Sequence, residues 1–331
     1  MPRVLITTVP FAQHDRLPID LLESLPAEYA VNPIGRRLQE DELAMLAADA
    51  EILIAGTEPI TARVMDAAPR LRLISRVGIG LDNVDLLAAR ERNIAVSYTP
   101  DAPAPAVAEL TIGLMLSLLR RTHEANLAMH RGEWQRFMGR RISEVTVGVI
   151  GTGRIGSRVV RHLDALGSPR IIVNDIQPRH EIVPGLEPEW LAKDTIYREA
   201  DIISLHLPMT TQTLNMIRAE QLHQMKTDAL LVNTSRGGIV NEADLFTALG
   251  EGHLGGVAVD VFSAEPYDGP LSQISRCLLT SHMGSMSVDC RTRMEIEATE
   301  EAARYIRGAP LLCSVPEDEY ETRVVQQSNP T

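Results

Sequence analysis

Three side chains in this sequence stand just after apolar runs and carry the groups a proton-transfer site needs: Arg236, Glu265 and His282. Arg236 lies in Thr234-Ser235-Arg236-Gly237-Gly238, Glu265 in Asp260-Val261-Phe262-Ser263-Ala264-Glu265-Pro266, and His282 in Ser281-His282-Met283-Gly284. In an open parallel sheet the loops after the strands collect at the carboxyl edge, where ligands bind. Gathered there, Glu265 can accept a hydrogen bond from His282, and a carboxylate beside an imidazole makes a general acid/base pair. An arginine flanked by glycines can hold a carboxylate bidentately and polarise an adjacent carbonyl. Each also has a plainer reading: a surface arginine ahead of a helix capped by Asn241, and a structural histidine among nine.

A second set of residues specifies a ligand rather than a reaction. Val147 to Ile150 is an apolar run, and Gly151-Thr152-Gly153-Arg154-Ile155-Gly156 then spaces glycines as G-x-G-x-x-G ahead of a helix-like Ser157 to Leu166. Only glycine lets the backbone turn that sharply and approach a pyrophosphate that closely, so Gly151, Gly153, Arg154, Ile155 and Gly156 are candidate cofactor contacts. The next apolar run ends in Asp175, 19 positions beyond Gly156, where a carboxylate hydrogen-bonds a ribose 2′-hydroxyl and disfavours a 2′-phosphate. NAD is therefore the expected cofactor, with Arg179 near enough in sequence to keep NADP open. His206 and Pro208, in Ser204-Leu205-His206-Leu207-Pro208, read as further cofactor contacts or as structural. Upstream, Ser75 to Asp85 offers the backbone N–H groups of a glycine-rich turn as a carboxylate nest, with Arg76 beside them as a candidate substrate contact. A turn capped by Asp82 or Asn83 at a helix start is the structural reading of the same stretch.

Short apolar runs alternating with helix-like segments must position these loops. Strands are expected at Val4 to Thr8, Ile52 to Ala55, Leu73 to Arg76, Ala95 to Ser97, Thr146 to Ile150, Ile171 to Asn174, Ile202 to Leu205, Leu230 to Asn233, Gly256 to Val259 and Cys277 to Thr280. This alternation is the pattern of parallel sheets covered on both faces, and the long interval before the glycine motif implies two of them. Between them, Thr99-Pro100-Asp101-Ala102-Pro103-Ala104-Pro105 is a stiff crossing that leads into a helical run from Ala106 to about Arg131. That run is apolar on more than one side, which fits burial between layers or against a second subunit. The polar tail Pro316 to Thr331 is expected to be disordered.

At 331 residues the chain favours two domains, and 44% hydrophobic with 23% charged residues is an ordinary globular composition. A net charge of −12 argues against nucleic acid but not against a small anionic substrate held by a local arginine. Cys277, Cys290 and Cys313 form an odd set without metal-ligand spacing, which speaks for a reducing cytoplasm and against a disulfide framework or a metal site. Met1 to Thr8 is too briefly apolar for a signal, and Leu110 to Leu119 is too short to span a bilayer, so no membrane partner is expected.

The blocks Ser75 to Asp85, Gly151 to Gly156, Asn233 to Glu242, Asp260 to Pro266 and Ser281 to Ser285, in this order, resemble the D-isomer-specific 2-hydroxyacid dehydrogenases, closest to their D-3-phosphoglycerate dehydrogenase-like branch. The resemblance runs from about Val4 to Val315. It implies two doubly wound α/β domains: a Rossmann NAD-binding domain at 99–285, with a dimerisation helix at 104–131, inserted into a flavodoxin-like substrate domain built from 1–98 and 286–331. It further implies that Arg236, Glu265 and His282 form the family's triad, that Val77 and Gly78 bind the substrate carboxylate, and that Asp260 contacts the nicotinamide carboxamide, with Thr234 a further candidate cofactor contact. On that basis His282 protonates the carbonyl of a 2-oxo acid as hydride arrives, Arg236 stabilises the oxygen, and domain closure excludes water. Expected substrates are 3-phosphoglycerate-like or C4 dicarboxylic acids such as malate and oxaloacetate, acted on by a homodimer.

The sequence departs from that branch at Gly56-Thr57-Glu58-Pro59-Ile60, where Glu58 would repel a phosphate, and regulatory C-terminal domains are not expected at this length. An NAD-sensing protein like the C-terminal-binding-protein corepressors is the alternative to an enzyme. Phosphonate or formate oxidation is the alternative within enzymes.

Overall fold

The apolar runs of the sequence are strands, and they sort into two parallel sheets. The computed structural model describes residues 1–178, 182, 183, 185–317, 319 and 320. In chain order the strands are β1 Arg3–Ile6, β2 Glu28–Val31, β3 Ile52–Ala55, β4 Leu73–Arg76, β5 Ala95–Ser97, β6 Thr146–Ile150, β7 Arg170–Asn174, β8 Glu189–Trp190, β9 Ile202–Leu205, β10 Leu230–Asn233, β11 Gly256–Val259 and β12 Cys277–Leu279. The chain divides into two units, residues 1–103 with 286–331, and residues 104–285.

The first unit holds a sheet of order β2-β1-β3-β4-β5, the doubly wound order known from flavodoxin. Leu5, Leu53, Ile74 and Val96 enter a core with Leu43, Val64 and Leu71 on one face. On the other face the helix Val288–Ile306 packs against β3 and β4, and Ser75 Oγ donates to Ala298 O at 2.7 Å. The second unit holds β12-β11-β10-β9-β6-β7-β8. Counted from β6, this is the dinucleotide-binding order extended by one strand. Its sheet has a separate apolar core on each face. Every residue of β3, β4, β9, β10 and β11 is buried, the reason these strands read as continuous rather than alternating apolar runs.

Two strands escaped the sequence pattern. β2 is an edge strand in which Glu28, Tyr29 and Val31 are exposed, and β8 is only two residues long; neither needs the apolar run that burial imposes. The expected helix from Ala106 to Arg131 is in fact two, Ala104–Arg120 and Thr122–His130. The break is Arg121, whose backbone is left-handed at φ 52°. The several apolar sides of Ala104–Arg120 find partners within the unit, since it packs on β10 and β11 and also on the helix Gly156–Ala165. Thr99 stays with the first unit, its Oγ1 accepting from the Gly78 N–H at 2.8 Å.

The start of the tail is ordered rather than disordered: Arg90 lies 3.6 Å over the ring of buried Tyr320 and pairs with Glu317 at 2.7 Å. Asp318 and residues 321–331 lie outside the described residues. No described helix is long and apolar enough to cross a membrane. Cys277, Cys290 and Cys313 form no disulfide, and burial pushes Cys277 up to about 12 and Cys290 up to about 11.

Leu53 is fully buried in the centre of the first sheet. Leu53→Ala is expected to cost about 2–5 kcal/mol and to lower the urea midpoint of the first unit, whereas Met45→Ala, at an exposed position of the same unit, leaves it in place.

Candidate active site

In the second unit the loops after β10, β11 and β12 are held together by close backbone approach and by one buried carboxylate. After β10, Asn233 folds its own loop: its Oδ1 accepts from the Ser235 N–H at 3.1 Å and Ser235 Oγ at 2.7 Å, and its Nδ2 donates to Arg236 O at 2.9 Å. Gly237 then passes so close to the next loop that a Cβ there would sit 2.0 Å from Phe262 C and O. Only glycine permits that approach, and it lays the arginine loop against the loop that carries Glu265. Asn241 accepts from Asp244 N at 3.0 Å, so it does cap the following helix; the structural and functional readings of this stretch coexist.

His282 Nδ1 lies 2.9 Å from Glu265 Oε2 and 3.1 Å from Oε1. Glu265 is itself fixed by the Phe262 N–H, which donates to Oε1 at 3.1 Å. A carboxylate facing Nδ1 assigns the proton there and leaves Nε2 for exchange with a ligand. His282 has a left-handed backbone, φ 52°, and its side chain is 41% exposed, open enough to meet a substrate.

Asp260, fully buried, imposes that conformation. Its Oδ1 accepts from Thr280 Oγ1 at 2.6 Å and Met283 N at 2.8 Å, its Oδ2 from Gly284 N at 2.9 Å, and its backbone oxygen from His282 N at 2.8 Å. The sequence marked Asp260 as a cofactor contact and gave no sign of this bracing role.

The glycine turn after β6 separates into three local requirements. A Cβ at Gly156 would lie 1.9 Å from Gly151 O, and one at Gly151, which has φ 92°, would lie 2.3 Å from His206 O; a Cβ at Gly153 would meet nothing within 4 Å. Gly151 and Gly156 are thus demanded by the protein itself, while Gly153 borders open space at the start of the helix Gly156–Ala165, where a pyrophosphate fits. Asp175 closes the turn: Oδ2 accepts from Thr152 N at 2.7 Å and Thr152 Oγ1 at 3.2 Å, and Oδ1 from Gln177 N at 3.0 Å. Arg179 lies outside the described residues.

His206 Nε2 is 2.8 Å from Ser204 Oγ, whereas its Nδ1 is buried without a partner. Burial holds this imidazole at about 3, and so neutral. An orphaned ring nitrogen beside Gly151 suits a site completed by a ligand. Pro208 is exposed, with its carbonyl accepting from Thr213 Oγ1 at 2.7 Å. Thr111 Oγ1 donates to Val107 O at 2.8 Å, so its 2.8 Å bond with Thr234 is donated by Thr234. Thr234 is thereby anchored to the helix Ala104–Arg120, a link invisible to sequence spacing.

On the first unit's carboxyl edge, the amides of the expected nest at Val77 and Gly78 are already engaged by the protein. The Val77 N–H continues the ladder to Ala55 O at 2.8 Å, and the Gly78 N–H goes to Thr99 Oγ1 at 2.8 Å. Among the described residues the N–H groups of Ile79, Gly80, Leu81 and Asn83, further along the same turn, donate to no backbone carbonyl. Arg76 is buried, its Nε donating to Asn83 Oδ1 at 3.0 Å and its Nη1 to Val77 O at 2.7 Å. Nor does Asp82 or Asn83 cap the next helix: Asp85 does, accepting from Ala88 N at 2.9 Å.

A dinucleotide-binding sheet whose carboxyl edge carries a carboxylate–imidazole pair and an arginine defines the class: a nicotinamide-dependent oxidoreductase. Residues 112–284 match the family described as D-isomer specific 2-hydroxyacid dehydrogenase, NAD binding domain. The D-3-phosphoglycerate dehydrogenase of Methanocaldococcus jannaschii is 37% identical over 281 residues, 83% of this chain and 53% of its own length, so this chain spans about half of that relative. The hydroxypyruvate reductase of Thermotoga maritima is 34% identical over 80% of this chain and 88% of its own. The crystal structure of the TT0316 protein of Thermus thermophilus superposes with a TM-score of 0.86 at 34% identity, covering 95% of this chain and 100% of that one. The protein belongs to the D-isomer specific 2-hydroxyacid dehydrogenases, and its second unit is their NAD-binding domain.

The open space at Gly153 predicts a dissociation between folding and binding. Gly153→Val is expected to keep the melting temperature while weakening NADH binding, followed by fluorescence, more than about tenfold. Gly156→Val, which drives a side chain into Gly151 O, is expected to destabilise the second unit itself.

Proposed function

We propose that this protein interconverts a small D-2-hydroxy acid and its 2-oxo acid with NAD as hydride carrier. The observation that carries the reading is the His282–Glu265 pair at 2.9 Å, on loops packed against the Arg236 loop, in the unit that has the dinucleotide turn. Bound NAD would supply the hydride acceptor, and NADH the donor. Gly151 to Gly156 and Asp175 would hold it, with Thr234, His206, Pro208 and the remaining Asp260 Oδ2 lone pair on its nicotinamide side.

His282 Nε2 takes the hydroxyl proton in oxidation and returns it to the carbonyl oxygen in reduction. Glu265 keeps the imidazole oriented through Nδ1 during transfer. Arg236 stabilises negative charge developing on the reacting oxygen, the term that usually contributes most. We assign the substrate carboxylate to the N–H groups of Ile79 and Gly80, and Arg76 to the support of their turn through Asn83. The relatives' names extend the candidate substrates from a phosphoglycerate to hydroxypyruvate, beside the C4 dicarboxylic acids.

The same reading includes a homodimer. Leu127, Met129, Trp134 and Met138 are exposed on one stretch of chain, Trp134 by 80% and Met138 by 90%. A concentration of large apolar side chains like this marks an interaction surface, and a second copy of the chain is the proposed occupant.

With a panel of 2-oxo acids and NADH, turnover is expected, and His282→Ala should lower kcat by about a thousandfold with NADH binding retained. Turnover of none of the acids by protein that binds NADH would refute the reaction. Light scattering should give twice the mass of one chain, and the double substitution Trp134→Glu, Met138→Glu should give one; a wild-type monomer would refute the dimer.

A further inference from the structure

The turn after β4 is held from outside its own sequence. Val77-Gly78-Ile79-Gly80 contains two glycines, and Gly78 takes φ 143°, so the local chain imposes little on its path. Thr99, 1% exposed, supplies the restraint twice over. Its Oγ1 accepts from the Gly78 N–H at 2.8 Å, and its own N–H donates to Gly78 O at 3.1 Å. Thr99 in turn follows β5, a strand of three residues at the edge of the sheet, which is short for a strand.

A segment near the end of the chain secures that edge. Ser314 bridges Ser97 in antiparallel sense, the Tyr98 N–H donates to Cys313 O at 3.1 Å, and the Val315 N–H donates to Val96 O at 3.0 Å. Val315 and Tyr320 enter the core of the unit. The other end of the segment is gripped by Glu301, on the helix Val288–Ile306. The Leu312 N–H reaches both Oε1 and Oε2 at 3.1 Å, and the Cys313 N–H reaches Oε2 at 3.4 Å. Glu301 is 4% exposed, with Arg304 Nε 3.9 Å away. A carboxylate is costly to bury, but aimed at two successive amides it fixes their position, which non-directional apolar packing does not.

We propose that Glu301 is a positioning residue for the substrate: through residues 312–315 and Thr99 it fixes the turn whose amides receive the substrate carboxylate. The inference rests on the dehydrogenase reading above and on its assignment of the carboxylate to Ile79 and Gly80. The line of contact stays within one unit. It runs from Glu301 to the Cys313 amide, from Cys313 O to the Tyr98 amide, along the chain to Thr99, and from Thr99 to Gly78. A group that only stabilised the unit would alter its melting temperature and leave the constants of the folded enzyme alone. A group that positions the turn alters KM for the acid, because binding shared by ground state and transition state is lost.

The test uses whichever of glyoxylate, hydroxypyruvate and oxaloacetate the wild-type protein reduces best with NADH. It measures kcat, KM for the acid, KM for NADH and melting temperature in wild type and variants. Glu301→Ala and Thr99→Val should each raise KM for the acid at least about fivefold, the scale of one hydrogen bond, with kcat and KM for NADH unchanged. Glu301→Gln keeps an acceptor for the Leu312 amide and should stay within about twofold of wild type. The double variant Glu301→Ala, Thr99→Val should exceed neither single by more than about twofold, since both cut one line. An unchanged KM for the acid in Glu301→Ala overturns the proposal whatever the melting temperature does, and so does a double variant whose effects multiply. Should Glu301→Ala not fold, Glu301→Asp withdraws the carboxylate from the amides by one methylene and decides by the same KM criterion. Turnover of none of the three acids by wild type that binds NADH removes the dehydrogenase reading as well, whereas turnover with unmoved KM values removes this inference alone.

Discussion

A carboxylate with no exposed surface organises the second unit. Asp260 gathers the Thr280 hydroxyl and the Met283 and Gly284 amides, and no ion pair with a cation is formed among the described residues. Three donors converging on one buried carboxylate leave the loop between them little choice of path. That path makes His282 left-handed, a conformation a histidine adopts at some cost, and it turns Nδ1 toward Glu265. Removing the Asp260 carboxylate would free the loop, and the imidazole would lose its register with Glu265 before any contact to a ligand was altered.

Glu265 depends on a second constraint of a different kind. The chain crossing at Gly237 is a steric fact, since any side chain there would overlap the Phe262 backbone. It places the arginine loop beside Phe262, whose N–H in turn fixes Glu265. Phe262 stacks on Tyr267 with ring centroids 4.1 Å apart, closing this loop on itself. Electrostatic bracing from Asp260 and backbone contact at Gly237 thus fix the imidazole and its carboxylate from opposite sides, which is the preorganisation that acid/base catalysis requires.

The first unit uses a side-chain amide for the same purpose. Asn83 joins the loops after β3 and β4 by accepting from Arg76 and donating to Gly56 and Glu58. Arg76, which looks in the sequence like a ligand for an anion, serves here as a buried strut. The ladder continues to the Val77 amide, and Thr99 takes the Gly78 amide, so the two amides that the family resemblance implied for the substrate carboxylate are already satisfied by the protein.

Much of this was legible in the residues. Continuous apolar runs identify strands buried on both faces, because burial on both faces removes the alternation that would mark an exposed side. The glycine spacing, Asp175 and the loops bearing Arg236, Glu265 and His282 were likewise local signals, since each depends on residue type at a fixed offset from a strand. What the chain did not reveal was mostly set by contacts between distant segments. The edge strand β2 carries no apolar run because its surface is exposed, and the helix break at Arg121 is a single backbone torsion. The Asp260 clamp, the Thr111–Thr234 link and the Asn83 strut each pair residues from separate loops or elements. Residue type and spacing by themselves determined the two parallel sheets and the chemistry available at their edges. Only the tertiary structure decided which donors and acceptors are already satisfied by the protein and which remain for a ligand, because that balance depends on which loops meet in space.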